Sequence, residues 1–284
     1  KAGALGAIAA KLASLVMGRG SRVIFTVHGW GFKEDRSLFT RAIIFLISWF
    51  SSLFQNKIIL INTADFNIAK KFVPYKKLSL IFNGIGPIDF LPREEARSFL
   101  SDKMGREIKP DAILIGTIAE LTKNKGLSFL ITALAGLNLA NIISVIIGGG
   151  EDKEYLSNRI NNLGLQDTIH LIGFLPEANR YLKGFDIFVL PSIKEGLPYT
   201  VIEAMVAGLP VVAAKIGGLP DLIADTENGF LVEPRNAIEL KNALQKLIQN
   251  PELRKMFGQK AESAVKTKFQ LRDMLEKTIE LYAQ

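Results

Sequence analysis

From Arg22 onward the chain alternates short β-rich runs, most of them continuously apolar, with stretches of helical periodicity, a pattern that few folds accommodate. The runs fall at 23–27, 57–61, 78–82, 112–118, 142–147, 168–172, 187–190, 210–213 and 229–232. A strand with no polar alternation needs cover on both faces, the condition of a parallel sheet between two helical layers. The pattern predicts an α/β protein with doubly wound parallel sheets. A Gly-, Pro- and charge-rich stretch opening at Asn83 (N-G-I-G-P-I-D-F-L-P-R-E-E) reads as an interdomain linker. The expected division is a first α/β domain at 1–83, a linker at 84–110 and a second domain at 111–268. A C-terminal helix at 269–284 is expected to pack back toward the first domain.

The two halves are unequal. The second holds six of the runs; the first holds three, with a helical stretch ahead of them, and so small a sheet leaves helix faces uncovered. Because the chain also opens on Lys1 rather than Met, further strands are expected ahead of it. Residues 1–17 are apolar but interrupted by Lys11 and lack a charged leader, which predicts a helix rather than a signal peptide. The longest apolar run, 42–54, includes Ser48, Ser51 and Ser52 and falls short of the ~20 residues a membrane span needs. There Arg41, Ser48, Ser51, Ser52 and Gln55 form one stripe at helical spacing. The expectation is an amphipathic helix whose wide apolar face packs on a sheet; the competing reading gives that face to a membrane.

Charge separates the halves as well. Residues 1–83 carry twelve Lys/Arg against Glu34, Asp35 and Asp65, whereas 84–284 carry 23 basic and 25 acidic residues. A half with a net charge of +9 suits an anionic partner: phosphate, nucleic acid or an acidic membrane surface. The absence of cysteine excludes disulfides, thiolate zinc sites and thiol nucleophiles, and two histidines, His28 and His170, exclude a histidine-rich metal site.

Ligands of open α/β sheets bind beyond the carboxyl ends of the strands. The most informative such place follows the run at 187–190, in P-S-I-K-E-G-L-P-Y-T-V-I-E-A-M-V-A-G-L-P-V-V. Pro198 suits the first turn of a helix, and the amides around Leu197 to Thr200 would form an anion site at its start. Glu203 is the only charge between Gly196 and Gly208. On so apolar a helix a carboxylate is costly unless something pairs with it, and a vicinal diol such as ribose would do so. Several motifs fail: G-x-G-x-x-G finds Lys153 in place of its last glycine, a Walker loop and G-x-S-x-G are absent, and Asp186 has no partner for a D-x-D metal site.

Glu195 and Glu203, with seven residues between them inside P-S-x-x-E-G-L-P-x-x-x-x-E-A-M-x-A-G-L-P-V-V, resemble the E-x7-E motif of the retaining glycosyltransferases of family 4. The similarity continues through G-G-L-P-D-L-I at 217–223 and N-G-F-L-V-E-P at 228–234, and backward through I-H-L-I-G-F at 169–174, I-G-G-G-E at 147–151 and I-F-N-G-I at 81–85. Nearly all of 20–284 is covered. The resemblance implies the GT-B fold: two Rossmann-like domains facing a cleft, the first an incomplete acceptor-side domain and the second the nucleotide-sugar donor domain.

The resemblance also implies roles. Glu195 would contact the transferred sugar and Glu203 the nucleotide ribose. Gly196 and the amides near Leu197, Tyr199 and Thr200 would receive the diphosphate, and Gly173 and Phe174 would lie against the base. Lys125, in E-L-T-K-N-K-G, matches the lysine that contacts the leaving phosphate, where a fixed cation absorbs developing charge. His28, in T-V-H-G-W-G-F, matches the H-G histidine that faces the donor. One departure is evident: Glu120 stands where the family commonly has Arg, so one cationic clamp is lost or moved to Lys123.

The implied activity is metal-independent, retaining transfer of a sugar from a nucleotide-diphosphate donor to a glycan or polyprenyl-diphosphate-linked acceptor. Bacterial envelope polysaccharide synthesis is the implied setting, and no cofactor is needed beyond the donor substrate. The expected location is cytoplasmic, with peripheral contact at the anionic inner face of the cell membrane, and no nucleic-acid partner is expected. Two readings compete: a non-catalytic nucleotide-sugar-binding fragment, and another GT-B enzyme such as a phosphorylase or a sugar-nucleotide epimerase.

Overall fold

A computed structural model describes residues 2–17, 22–34, 36–137 and 141–283. In chain order the first elements are α1 (Ala2–Met17), β1 (Ile24–Val27), α2 (Leu38–Phe54), β2 (Lys57–Leu60), α3 (Thr63–Ala69) and β3 (Leu78–Leu80). Then come α4 (Arg93–Met104), β4 (Ile113–Ile118), α5 (Leu127–Ala135), β5 (Ile142–Ile147), α6 (Lys153–Asn162), β6 (Ile169–Gly173) and β7 (Ile187–Leu190). The chain continues through α7 (Tyr199–Val206), β8 (Val211–Ala214), α8 (Leu219–Leu222), β9 (Gly229–Val232), α9 (Ala237–Gln249), α10 (Pro251–Lys268) and α11 (Leu271–Ala283). All nine predicted strands form, within a residue or two of the expected bounds. The chain divides into two units, one running to Gly84 and including the segment from Leu271, the other spanning Ile85–Gln270.

Both sheets are wholly parallel, as their unbroken apolar strands require: β1-β2-β3 in the first unit and β6-β5-β4-β7-β8-β9 in the second. Every residue of β5, β7 and β8 is buried. The second core joins Ile115, Ile146, Val189 and Val212 of the sheet to Leu130 and Leu134 of α5 and Leu240, Leu244 and Leu247 of α9. Strand order reverses at β4, which pairs with β5 on one side and β7 on the other. The β4 and β7 loops therefore open side by side, a topological switch point. Short polar residues start the helices: Asn236 and Asn250 accept from the amides of Glu239 and Leu253 at 3.1 and 2.9 Å.

The stretch read as a linker is ordered. Within 84–110, α4 packs on the second unit, with Phe99 stacked on Tyr181 at 4.3 Å between ring centroids. Asp186 provides the anchor. Its carboxylate receives Arg93 Nη2 at 2.5 Å, Arg97 Nη2 at 2.7 Å and the Leu114 amide at 2.7 Å, and Arg97 also donates to the Gly184 and Ala112 carbonyls. Burial lowers the Arg97 pKa, opposed by Asp186.

Helix α2 forms where expected but faces the opposite way. Ser51, Ser52 and Gln55 are only 2–4 % exposed, while Leu38, Phe39, Leu46 and Leu53 are all more than half exposed. The polar stripe is satisfied locally: Gln55 Nε2 donates to Ser51 Oγ at 2.9 Å, and Ser48 and Ser52 donate to the Ile44 and Trp49 carbonyls at 2.7 and 2.6 Å. With those hydroxyls bonded, the stripe can be buried without orphaned donors. The expectation that this face packs on a sheet is thereby corrected.

Removing the buried partner of a carboxylate is costly. Arg97→Leu is expected to lower unfolding stability by roughly 2–3 kcal/mol, and Arg93→Leu, at a more exposed guanidinium, by under about 1 kcal/mol. Urea denaturation of the two variants measures both; equal losses would refute the clamp as described.

Candidate functional site

Two loops meet at the switch point. After β4 the chain makes a turn at Lys123–Lys125, and Gly126 then starts α5 in the left-handed region at φ +63°. A Cβ at Gly126 would collide with the Pro191 carbonyl, so only glycine lets this loop lie against the segment that follows β7. The contact is held by Ile193 N donating to the Asn124 carbonyl at 2.7 Å. On the other side Gly217, at φ +53°, presses its Cα against the Glu195 carbonyl, and Gly218 N donates to the Gly196 carbonyl at 2.6 Å. The segment 191–196 is thus gripped from both flanks by backbone that tolerates no side chain.

This grip fixes Glu195. Its Oε1 accepts from Lys125 Nζ at 2.7 Å and from Ser192 Oγ at 2.7 Å, and the carboxylate side chain is 8 % exposed. Ser192 is fully buried. So an ion pair with a hydroxyl donor joins the β4 loop to the β7 loop.

Helix α7 opens at Tyr199, with Pro198 the extended residue just before it and no side-chain cap. The start lies one position later than the sequence suggested. The first amides of a helix have no intrahelical partner, and no acidic residue occupies this first turn. Val201, Ile202, Ala204 and Met205 are buried, leaving Thr200 and Glu203 on the remaining face.

Thr200 and Glu203 line a cavity of ≈ 530 Å³ with Glu120, Gly148, Gly149, Phe174, Glu177 and Asn179, a volume suited to a small organic ligand. Asn179 Nδ2 donates to Glu203 Oε1 at 3.1 Å. Burial raises the Glu203 pKa above its ordinary value of 4.5, and the Asn179 hydrogen bond works against that rise. Phe174 follows Gly173 at the end of β6, is 75 % exposed and offers a flat apolar surface at the cavity wall.

Residues 101–264 match the sequence model described as "Glycosyl transferases group 1". The chain belongs to the group 1 glycosyltransferases. Among relatives, it is 27 % identical to an Escherichia coli UDP-Gal:alpha-D-GlcNAc-diphosphoundecaprenol alpha-1,3-galactosyltransferase over 99 % of this chain and 73 % of that one. It is 29 % identical to an uncharacterized glycosyltransferase of Methanocaldococcus jannaschii over 74 % of this chain, and the match spans about half, 54 %, of that relative's length. Anabaena HepE, solved in complex with UDP, superposes with a TM-score of 0.85 at 22 % identity, covering 99 % of this chain and 76 % of that one. That likeness establishes the fold, and the expected GT-B class is borne out.

Within this group 1 chain, Lys125 and Glu195 are in contact, Gly196 adjoins them, and Phe174, Thr200 and Glu203 share one cavity. The cavity lining does not include Lys125, Glu195, Leu197 or Tyr199; Leu197 is buried and Tyr199 exposed. His28 lies in the first unit, exposed just past β1, beside a separate cavity of ≈ 450 Å³ that also touches Trp30, Ser48, Ser51 and Gln55. Glu120 is exposed and lines the same cavity as Glu203, and Lys123 is also exposed. Asn179 and Ser192 were not singled out from sequence. Ser192 had a signal, since it is the serine of P-S-x-x-E; Asn179 had none, because its partner lies on another element.

Because its folded pKa is raised, Glu203 binds its proton more tightly in the native than in the unfolded chain, so its contribution to stability falls as pH rises above about 4.5. Glu203→Gln is expected to melt at a higher temperature than the parent at neutral pH. The difference should close as pH falls below the unfolded carboxylate's range. A gain that did not depend on pH would argue against a desolvated carboxylate at this position.

Proposed function

We propose that this protein transfers a sugar, with retention of anomeric configuration and without a metal ion, from a nucleotide-diphosphate donor to a lipid- or glycan-linked hydroxyl. The E-x7-E motif supports assigning it to family 4 of the retaining glycosyltransferases. The observation that carries the proposal is the pairing at the switch point: Lys125 fixed by Glu195 on one side, and Glu203 with Asn179 in the adjoining cavity.

In this reading the ribose diol donates to Glu203, which the Asn179 amide holds in place. The base lies against Phe174 and Gly173. The diphosphate takes the amides that open α7, from Leu197 to Thr200, next to Gly196. Breaking the glycosidic bond loads negative charge on the diphosphate, and the Lys125 ammonium absorbs it. Glu195, anchored by Lys125 and Ser192, meets the hydroxyls of the transferred sugar. Two carboxylates on one turn and the helix it leads into cannot flank a sugar ring as opposed acid and base, which supports front-side retention over an inverting pair.

The relatives supply chemistry for the partners. A diphosphoundecaprenol acceptor in the Escherichia coli enzyme and UDP in HepE support a UDP-sugar as the first donor to try and a polyprenyl diphosphate as acceptor. No helix among the described residues is long and apolar enough to cross a membrane. We place the enzyme in the cytoplasm, at the inner face of the membrane that carries such an acceptor, in envelope or exopolysaccharide synthesis. A second reading, donor binding without turnover, is favoured by Glu120, a carboxylate on the cavity wall where the family commonly has a cation.

Calorimetry and a radiolabelled transfer assay separate the roles. Glu203→Ala is expected to weaken donor binding about tenfold or more, the loss of charged hydrogen bonds. Glu195→Ala and Lys125→Ala should lower turnover about a hundredfold, with donor affinity changed much less for Glu195→Ala. Binding by the parent with no transfer to any polyprenyl-diphosphate acceptor would favour the second reading. Equal, negligible effects of all three variants would remove the assignment.

A further inference from the structure

Strand β4 is held unequally by its two neighbours. With β5 it pairs along its whole length, from Ile113 opposite Ile142 to Ile118 opposite Ile147. With β7 it pairs only at Ile115 opposite Ile187 and Gly116 opposite Phe188. The second ladder therefore stops short of the carboxyl ends, where the two loops of the donor site begin. Just past its last paired residues, the Thr117 hydroxyl donates to the Val189 carbonyl at 2.9 Å. Both residues are fully buried within the second unit.

Thr117 is the one polar side chain of β4, I-L-I-G-T-I. Valine has the same shape and would fill the same space with no hydroxyl to desolvate, so the hydroxyl is a cost unless its donor is used. Here it is used on a carbonyl that the ladder no longer pairs.

What lies above this tie is sensitive to spacing. Beyond Thr117 the chain reaches Asn124 and Lys125; beyond Val189 it reaches Ser192, Ile193 and Glu195. Ile193 N meets the Asn124 carbonyl at 2.7 Å, and Lys125 Nζ and Ser192 Oγ both meet Glu195 Oε1 at 2.7 Å. Two of these bonds cross from the β4 loop to the segment after β7. A relative shift of about half an ångström carries such bonds to the outer edge of good hydrogen-bond length. Glu203 stands on α7, and Asn179 and Phe174 on the stretch after β6, so the cavity is built without the tie.

We infer that Thr117 is a positioning residue for sugar transfer: its hydroxyl holds the ends of β4 and β7 at the spacing that sets Lys125 against Glu195. It touches no substrate and acts through that pair. The roles of Lys125 and Glu195 toward the donor rest on the function proposed above; the tie between the strands does not.

Two substitutions separate the hydroxyl from the shape. Thr117→Val keeps the shape and leaves the Val189 carbonyl unpaired, whereas Thr117→Ser keeps the donor and loses a methyl group from the core. Assayed well below the melting temperatures of both, Thr117→Val is expected to lower kcat about tenfold or more. Its donor affinity by calorimetry should be unchanged, and Thr117→Ser should restore turnover to near the parent's value. Parental turnover in Thr117→Val would overturn the proposal, as would a Thr117→Ser variant equally slow. A second arm needs no turnover. In urea unfolding, Lys125→Met should cost about half as much stability in the Thr117→Val background as in the parent, because the pair is already loosened; additive losses would overturn the inference. If the parent transfers no sugar, the proposed function fails and this cycle alone decides the role of Thr117. Should Thr117→Val not fold, Thr117→Ala, which also lacks the hydroxyl, replaces it in both arms.

Discussion

Everything in the second unit follows from a parallel sheet with no exposed face. Strands β5, β7 and β8 are buried at every residue, and Ser144 is their one polar side chain, so chemistry is pushed to their carboxyl ends. The reversal of order at β4 decides which ends matter. The loops after β4 and β7 stand next to each other there, because the two strands are paired. Gly126 and Gly217 convert that proximity into contact, because backbone rather than side chain meets the segment 191–196 on both flanks. The Lys125–Glu195 pair is the chemical consequence of this geometry.

The fold was legible because burial writes itself into composition. An unbroken apolar run bounded by loop residues has few meanings, and all nine runs are strands. The Glu195 and Glu203 neighbourhoods were legible for a related reason: a charge in an otherwise apolar helix, or between Pro, Ser and Gly after a buried strand, is conspicuous. The unread parts share a cause, dependence on partners far away in the chain. Helix α4 is charged on most of its surface and looks like a solvated connection until Asp186, 89 residues beyond Arg97, supplies the counter-charge. Asn179 has no motif and gains meaning only beside Glu203.

Helix α2 shows a different limit. A helical wheel reports that two stripes exist, not which one faces the protein. The usual assumption assigns the apolar stripe to the core, but a stripe of serines can be buried at little cost when each hydroxyl bonds a carbonyl one turn back or a neighbouring amide, as Ser48, Ser51 and Ser52 do.

The two carboxylates at the switch point are eight positions apart but live in different physical conditions, and this limits what each can do. Glu195 has a cation and a hydroxyl on one oxygen, so its charge is balanced within the protein and its position is over-determined. Glu203 has a single neutral amide and a burial penalty, so its charge is unbalanced and the site is strained electrostatically. A balanced carboxylate is suited to orientation; it gains little from an added hydrogen bond. An unbalanced one gains from every hydroxyl brought to it, because each new donor relieves a desolvation that folding has already imposed. In the proposed reading, a diol bound at Glu203 would recover the stability given up there.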